Sequence, residues 1–547
     1  MDKADFLSGI DLYLKGERPP RLETDSGIPV PLICGPADVE GLDYTRDLGD
    51  AGCHPFTRGI HRDMYRGRFW TRRQILGYGG PAETNRRIKF LFKEGQTGLN
   101  LVPDLVGAHG FDPDDPAAEG EVGVQGVSIS TLREMAETLR DLPLDRMSVT
   151  LIAKPPCGMI WLAMLVALAE KRGLPPACLR GTVMNDPLFQ ISGGVPLSTH
   201  TRFFPLGPAM RLAVDTLEYC SRHLPRINTP CVNGYNVRET GVNAIQEIAF
   251  TLAGAVTFVE GGLARGLPVD AFVPRLSFFL ASHMDFFEEV AKFRAFRRIW
   301  ARLVRERYGA QEERSLWFRF SAQTSGIALT AQQPLNNVVR TTLQVLAAVL
   351  GGAQAVQASA FDEALSLPTE DSHRLVVRTS QIIGYETGVT RTADPLGGAY
   401  CVEWLTNRLE AEGLALFEKI QAMGGMVAAI ESGWMEGLVN EARSRRQADL
   451  ETGRQILVGV NAFRSEEEPR VKIHRTAARW ERERRCFIRQ LKRARNQRRA
   501  ARALDGVREA MARGENVFPP VIAAVKASAT LGEISHAMRE AIGFGAG

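Results

Sequence analysis

The sequence predicts an α/β protein built as a (β/α)8 TIM barrel, with an N-terminal arm before it and a helical C-terminal region after it. Three observations carry that expectation. Through residues 61–400, short β-like runs alternate with amphipathic helical stretches, the pattern of a parallel sheet wrapped by helices. Roughly 300 residues of such alternation is about what eight strand–helix units occupy. Residues 401–547 then lose the strand signals and read mostly as helix.

Residues 1–60 are rich in Pro, Gly and Asp and show little periodicity, as expected of an arm that wraps around a body or a partner. In the barrel, SVTLIA (148–153), TPCVNGY (229–235), LWFRFSAQ (316–323) and AVQASAF (355–361) read as strands. AMRLAVDTLEYCSRHL (209–224), the long segment 275–304 beginning RLSFFLASH, and NNVVRTTLQVLAAVLGG (336–352) carry apolar residues at helical spacing. The apolar run MIWLAMLVALA (159–169) stops at Glu170 and Lys171, short of the ~20 residues a bilayer requires, and reads as a buried helix. In the C-terminal region, 478–514 is short of acids and carries arginine on several faces. Such a run is either a solvated helix or a docking helix for an acidic partner or a neighbouring subunit. There is no internal repeat and no low-complexity tract.

Composition narrows the function. With 547 residues, 44% hydrophobic and 24% charged, the chain buries a large core and holds more than one structural unit. A net charge of +4 is too small a bias to argue for nucleic acid. Eight cysteines without a CxxC pair suit reduced thiols in a cytoplasmic protein better than a disulfide framework or a zinc knuckle. The start, MDKADFLSGIDLYLKG, lacks the apolar centre of a signal peptide. A cytoplasmic protein with no membrane segment is the expectation. In CVNGYNVRET (231–240), a tyrosine at a strand end reads, by itself, as half-buried packing with a bonded hydroxyl.

Several stretches occur in order from about residue 60 to the end: RGRFWTRRQ (66–74), GEVGVQGVSI (120–129), PLDRMSVT (143–150), PRLSFF (274–279), QTSG (323–326), NNVVRT (336–341), FDEALSLPT (361–369), ADPLGGAY (393–400) and TLGEIS (530–535). Together they resemble the large, catalytic part of adenosylcobalamin-dependent acyl-CoA mutases, the family of methylmalonyl-CoA, isobutyryl-CoA and 2-hydroxyisobutyryl-CoA mutases. The resemblance implies a barrel threaded by the pantetheine arm of coenzyme A, with cobalamin across its C-terminal mouth. It implies a radical 1,2-rearrangement of an acyl thioester, the hard chemistry being the cofactor's. The family's cobalt-binding DxHxxG loop is not found. DSHRLV (371–376) is the nearest string and has Val376 in place of the glycine. A separate small cobalamin-binding subunit is therefore expected to supply the cobalt ligand, in a heterotetramer of two large and two small subunits.

By the same resemblance Met64, Arg68, Thr71, Arg73, Asn100, Thr182, Arg275 and Ser277 fall on coenzyme A and substrate positions, and Ile75 and Met184 on the acyl pocket. Gln125, Glu239, Gln323, Gly326, Ser359, Glu363 and Ser366 fall on cofactor positions, Ser359 standing where relatives have asparagine. Tyr235 takes the place of a tyrosine that presses on the adenosyl group. Asn236 replaces the histidine that donates to the thioester carbonyl; an amide donates as well but supplies no mobile proton near neutral pH. The arginine that pairs with the methylmalonyl carboxylate has no equivalent, ISGGVPLSTHT (191–201) carrying an insertion there. A buried carboxylate without a partner costs several kcal/mol, so a neutral branched acyl group is the expected substrate. Two alternatives remain: a mutase acting on a carrier-protein thioester, and a non-catalytic barrel that serves as a partner or cofactor-handling protein.

Overall fold

In the computed structural model, which describes residues 22–189, 204–465, 471–475, 477 and 479–544, the alternation becomes eight parallel strands, each followed by a helix. Residues 1–21 of the arm and the insertion expected at 191–201 lie outside the described residues. The strands are β1 Thr71–Leu76, β2 Gly98–Leu101, β3 Ser148–Leu151, β4 Arg180–Val183, β5 in two pieces (Ile227–Asn228 and Cys231–Asn233), β6 Ser277–Ser282, β7 Phe320–Thr324 and β8 Ala355–Gln357. Neighbours in sequence are neighbours in the sheet, and β8 returns to β1.

The ring closes at β5. Its first piece pairs with β4 and its second with β6. Pro230 interrupts the ladder because it has no N–H to give. On either side of it, Thr229 N donates to Arg275 O at 3.1 Å and Cys231 N to Met184 O at 2.9 Å, so one strand is bonded to both flanks and no free sheet edge remains at that point.

The wrapping helices are α1 Pro81–Lys93, α2 Leu132–Thr138, α3 Cys157–Lys171, α4 Leu206–His223, α5 Ala244–Ala264, α6 Phe286–Tyr308, α7 Asn336–Leu350 and α8 Glu370–Glu386. The expected buried helix at 159–169 is α3, buried from Cys157 through Ala169. It has no polar face because strands lie on one side and a C-terminal helix on the other. α5 is long and apolar enough to cross a membrane by length and composition, but most of it is buried between barrel and outer helices, which accounts for its hydropathy. The C-terminal region adds α9 Tyr400–Ala422, α10 Gly425–Glu431, α11 Trp434–Glu451, α12 Arg479–Ala494, α13 Gln497–Arg513, α14 Phe518–Lys526 and α15 Leu531–Ala541. α9 packs on α5 and α6, and α14 on α3, so these helices form an outer layer on the barrel.

Three local expectations need correction. Residues 277–282, expected as the start of a helix, form β6, and the helix begins only at Phe286. SFFLAS is buried at all but its first residue; a strand packed on both sides reads as a continuous apolar run that periodicity cannot distinguish from a helix. In LWFRFSAQ the strand starts at Phe320, after a 3-10 turn at Glu313–Leu316. Tyr235 lies past the strand end, in a one-turn helix Gly234–Arg238 capped by the Asn233 side chain.

The inner face of α6 is cationic. Lys292 Nζ donates to Glu247 at 2.7 Å, to Glu289 and to Ala281 O at 2.8 Å, with all three side chains fully buried. Arg297 donates to Phe56 O at 2.9 Å and Thr57 O at 2.6 Å, pinning the arm to the barrel. Removing one partner of a buried ion group leaves the others uncompensated, at about 3–5 kcal/mol. Lys292→Met should lower unfolding free energy by about that amount in a urea titration, and adding Glu247→Gln should recover part of the loss.

Candidate active site

At the N-terminal end of the strands a cavity of about 630 Å³ is lined by Met64, Arg68, Thr71, Trp317 and Gln354 among others. A second, of about 200 Å³, lies inside the barrel and is lined by Thr71, Arg73, Asn100, Thr150, Ile152, Thr182, Met184, Cys231, Ser277, Phe279 and Arg319. Thr71 and Gln354 belong to both, so the outer cavity leads into the lumen. Met64 is buried at the head of the one-turn helix Met64–Gly67, while Arg68 at its end is exposed. Ile75, on β1 opposite Asn100, continues the inward alternation of Thr71 and Arg73.

The entrance gathers cations. Arg319 donates to Asn228 Oδ1 and Leu276 O, both at 3.3 Å, and to Pro274 O. Burial, then Arg275 and Arg314, push its guanidinium down to about 10. Arg275 is lowered too, by burial and by Arg314. Guanidinia that depress one another are relieved by a polyanion. Deeper in, Arg73 donates to Ser148 Oγ (2.7 Å), Thr150 Oγ1 (2.9 Å), Asn100 Oδ1 (3.2 Å) and Leu99 O (3.2 Å), and burial pushes it down to about 10. Asn100 Nδ2 in turn donates to Gln357 Oε1 at 2.8 Å. Arg73 is thus a brace across three strands, whereas Arg68 lines the outer cavity and Arg319, with Arg275 and Arg314 beside it, lines the inner one. Sequence reasoning missed Arg314 and Arg319; the only signal was their spacing in RSLWFR.

Farther along, Met184, Cys231 and Phe279 form a small buried apolar cluster against which Ile152 and Tyr235 pack. The Tyr235 and Phe279 ring centroids are 5.2 Å apart. Gly234 permits this placement: a Cβ there would lie 2.3 Å from Thr251 Oγ1 and 2.9 Å from Leu280 Cδ2. Burial, then the charges of Glu239 and Glu363, hold the Tyr235 phenol well above its ordinary pKa. Asn236, half-buried, has its backbone N–H donating to Asn233 Oδ1 at 3.0 Å. Lys154 is a third residue missed in the sequence. It continues the alternation of Thr150 and Ile152, the two lumen residues of that strand, and burial pushes its amine down to about 7.

At the C-terminal mouth, Glu239 accepts from Ser325 Oγ (2.6 Å), Gly326 N (2.8 Å) and Ile327 N (3.0 Å). It therefore fixes the loop after β7 and brings Gly326 beside the Tyr235 hydroxyl. Gln323 is buried with its Oε1 unbonded. Ser359 N donates to Thr324 Oγ1 at 2.7 Å. Ser366 Oγ donates to Leu367 O and accepts from His474 N at 3.1 Å. Gln125 is exposed, in a left-handed conformation (φ 60°) on the loop after β2. Tyr235, Glu239, Gly326 and Glu363 are brought together; Gln125, Ser359 and Ser366 stand on separate loops around the same mouth. Among the described residues no group of three or more His, Cys, Asp or Glu is set to hold a metal. His373 of the DSHRLV string is buried in α8 beside Arg87.

Glu363 faces open space at the mouth yet is ringed by protein. The surrounding protein, then Asp362 and Glu239, push its carboxyl up to about 7, although the residue is exposed to solvent. A carboxyl titration followed by infrared difference spectroscopy should show a midpoint near 7 that Glu363→Gln abolishes and Asp362→Asn moves down.

Comparison with known proteins bears on this geometry. The family model for methylmalonyl-CoA mutase matches residues 23–544. The 2-hydroxyisobutanoyl-CoA mutase large subunit of Aquincola tertiaricarbonis is 39% identical over 528 residues, 96% of this chain and 92% of that protein. The mitochondrial methylmalonyl-CoA mutase of Homo sapiens is 37% identical over 97% of this chain and 70% of its own length. The methylmalonyl-CoA mutase of Rhizobium meliloti is 38% identical over 95% and 72%.

Proposed function

This chain belongs to the methylmalonyl-CoA mutase family, an isomerase family of CoA mutases, and on that footing we propose that it is the large subunit of an adenosylcobalamin-dependent mutase that rearranges a neutral, branched acyl-CoA. The supporting observation is the path from a cationic entrance, through a lumen braced by Arg73, to the apolar cluster of Ile152, Met184, Cys231, Phe279 and Tyr235. A thioester with a polyanionic tail and an uncharged acyl head matches that order of environments.

Arg68, Arg275 and Arg319 take the phosphates, where planar guanidinia suit bidentate contact. Thr71, Asn100, Thr182 and Ser277 bond the pantetheine amides. Asn236 donates its amide to the thioester carbonyl, polarising it without transferring a proton. Tyr235 and Phe279 wall the acyl group and exclude water from it. The mouth fits the cofactor's ribose: Gln323 offers a buried unbonded amide oxygen and Glu363 a carboxylate facing open space, both acceptors for hydroxyl groups. Adenosylcobalamin, when bound, supplies the carbon radical that takes a hydrogen from the substrate. A small cobalamin-binding subunit brings it, and the naming of the Aquincola relative as a large subunit agrees with this; two of each form the assembly.

Two outcomes test the reading. Acetyl-CoA should raise the melting temperature of the chain alone, and Arg319→Met should remove most of that shift at low salt; no shift in the unaltered chain would overturn the tunnel assignment. With a cobalamin-binding subunit and adenosylcobalamin, branched acyl-CoA esters should be isomerised and methylmalonyl-CoA should not. Asn236→His should leave KM within about twofold while changing kcat, because the contact matters most in the transition state.

A further inference from the structure

The arm, the stretch between β5 and α5, and α11 border a polar cavity of about 490 Å³ that shares no lining residue with the two cavities of the substrate path. Cavities of that size hold small molecules. Two buried side chains in its lining have hydrogen-bonding capacity to spare. Arg238 gives Nη1 to Val242 O, while its Nε and Nη2, in a side chain only 3% exposed, make no hydrogen bond. The carboxylates nearest to them stand beyond bonding distance, Asp25 and Glu289 each 3.7 Å from Nη2 and Glu247 3.9 Å from Nε. His283, just past β6 and equally buried, has Nδ1 3.1 Å from Asp25 Oδ2 and Nε2 without a partner among the described residues. Buried donors left unbonded are costly, and these sit on side chains that line the cavity.

The lining adds two arginines from α11. Arg445 is exposed and Arg446 half-buried, and burial, then Arg238, lower the Arg446 guanidinium from its ordinary range. Of the acids in the lining, Glu23 and Asp449 face Arg454, Asp25 faces His283 and Arg238, and Glu441 is exposed one turn before Arg445. Guanidinium groups therefore remain for an oxyanion after these pairs are formed. The rest of the lining is small or carries an amide, as at Gly27, Gly241, Asn243, Gln246 and Gln455, with no Phe, Tyr or Trp. It suits hydroxyl groups and offers a planar base no aromatic ring to stack on.

We propose that this cavity binds a phosphate monoester of a small polyol, with Arg238, Arg445 and Arg446 taking the phosphate and the amides and Glu441 taking the hydroxyl groups. Planar guanidinia suit bidentate contact with phosphate. Inorganic phosphate carries the same charged group without the second set of contacts. The ligand also braces the mouth of the barrel. Arg238 closes the one-turn helix that carries Tyr235 and Asn236. Arg446 Nη2 donates to Ile327 O at 2.8 Å, on the loop whose N–H groups Glu239 holds. An ester held by both arginines ties these two loops together.

The test uses the full chain in an Arg319→Met background, which weakens phosphate contacts on the substrate path, at an ionic strength held constant with sodium chloride. In calorimetric titrations glycerol 3-phosphate and glucose 6-phosphate should bind at one site, and inorganic phosphate about tenfold more weakly. Arg445→Gln combined with Arg446→Gln, both on the outer helix α11, should weaken the esters by about tenfold or more. Arg238→Lys, which keeps the buried charge and removes the planar fork, provides a second variant with an effect of the same direction. Bound ester should slow hydrogen exchange of the amides at 236–241 and 326–327 in the Arg319→Met chain and leave them unchanged once Arg445 and Arg446 are also replaced. No binding of either ester, equal affinity for inorganic phosphate and the esters, or ester binding unaffected by the Arg445 and Arg446 replacements would each overturn the proposal.

Discussion

The closure of the barrel at β5 is the constraint on which the site depends. One strand, split at Pro230, is bonded to β4 through Cys231 and Met184 and to β6 through Thr229 and Arg275. Met184 and Cys231 themselves line the inner cavity, and Tyr235 follows two positions after the strand ends. The lumen and its apolar end are therefore set by the same hydrogen bonds that make the sheet a ring. A strand free on one side would leave backbone groups unpaired in the interior, which costs too much to tolerate.

Around that ring, buried charge holds the parts in place. Glu247 takes Lys292 and also accepts from Ala281 N at 3.0 Å, linking α5, α6 and β6. Glu239 does the corresponding work at the mouth, spending its oxygens on Ser325, Gly326 and Ile327, and is thereby a positioning residue for the loop that carries Gly326. Arg73 braces β1 to β2 and β3 from within. Each group is costly to bury alone and well satisfied in company, so the lumen is kept open by polar cross-bracing where an apolar filling would have closed it.

Much of this was legible in the sequence, for physical reasons that also explain what was not. α3 and α4 showed themselves by length and periodicity, and the alternation of strand and helix gave the barrel. β6 did not, because a strand buried on both faces has no period. Pro230 hid the split in β5, since the residues on either side look like one strand. The Tyr235–Glu239–Gly326–Glu363 group was legible only through resemblance, its members lying on three separate loops. Arg319 and Lys154 escaped because a charged residue beside a short strand reads as solvated surface until the ring turns it inward; Arg314 stays exposed on the turn before β7. The insertion at 191–201, which bears on the acyl pocket, lies outside the described residues.

The environments along the path run in one order, and the order carries the chemistry. Toward the entrance burial and then neighbouring guanidinia lower Arg319 and Arg275, an apolar cluster follows, and at the far mouth burial and then neighbouring carboxylates raise Glu363 to about 7 and the Tyr235 phenol well above its usual range. A ligand that is polyanionic at one end and neutral at the other is drawn in tail outward, because reversing it would set phosphates against carboxylates in a low-dielectric channel. The same gradient leaves Asn236 between an apolar wall and a mouth that disfavours further negative charge. There a carbonyl is best stabilised by a fixed amide dipole, which costs no proton transfer and no change in net charge.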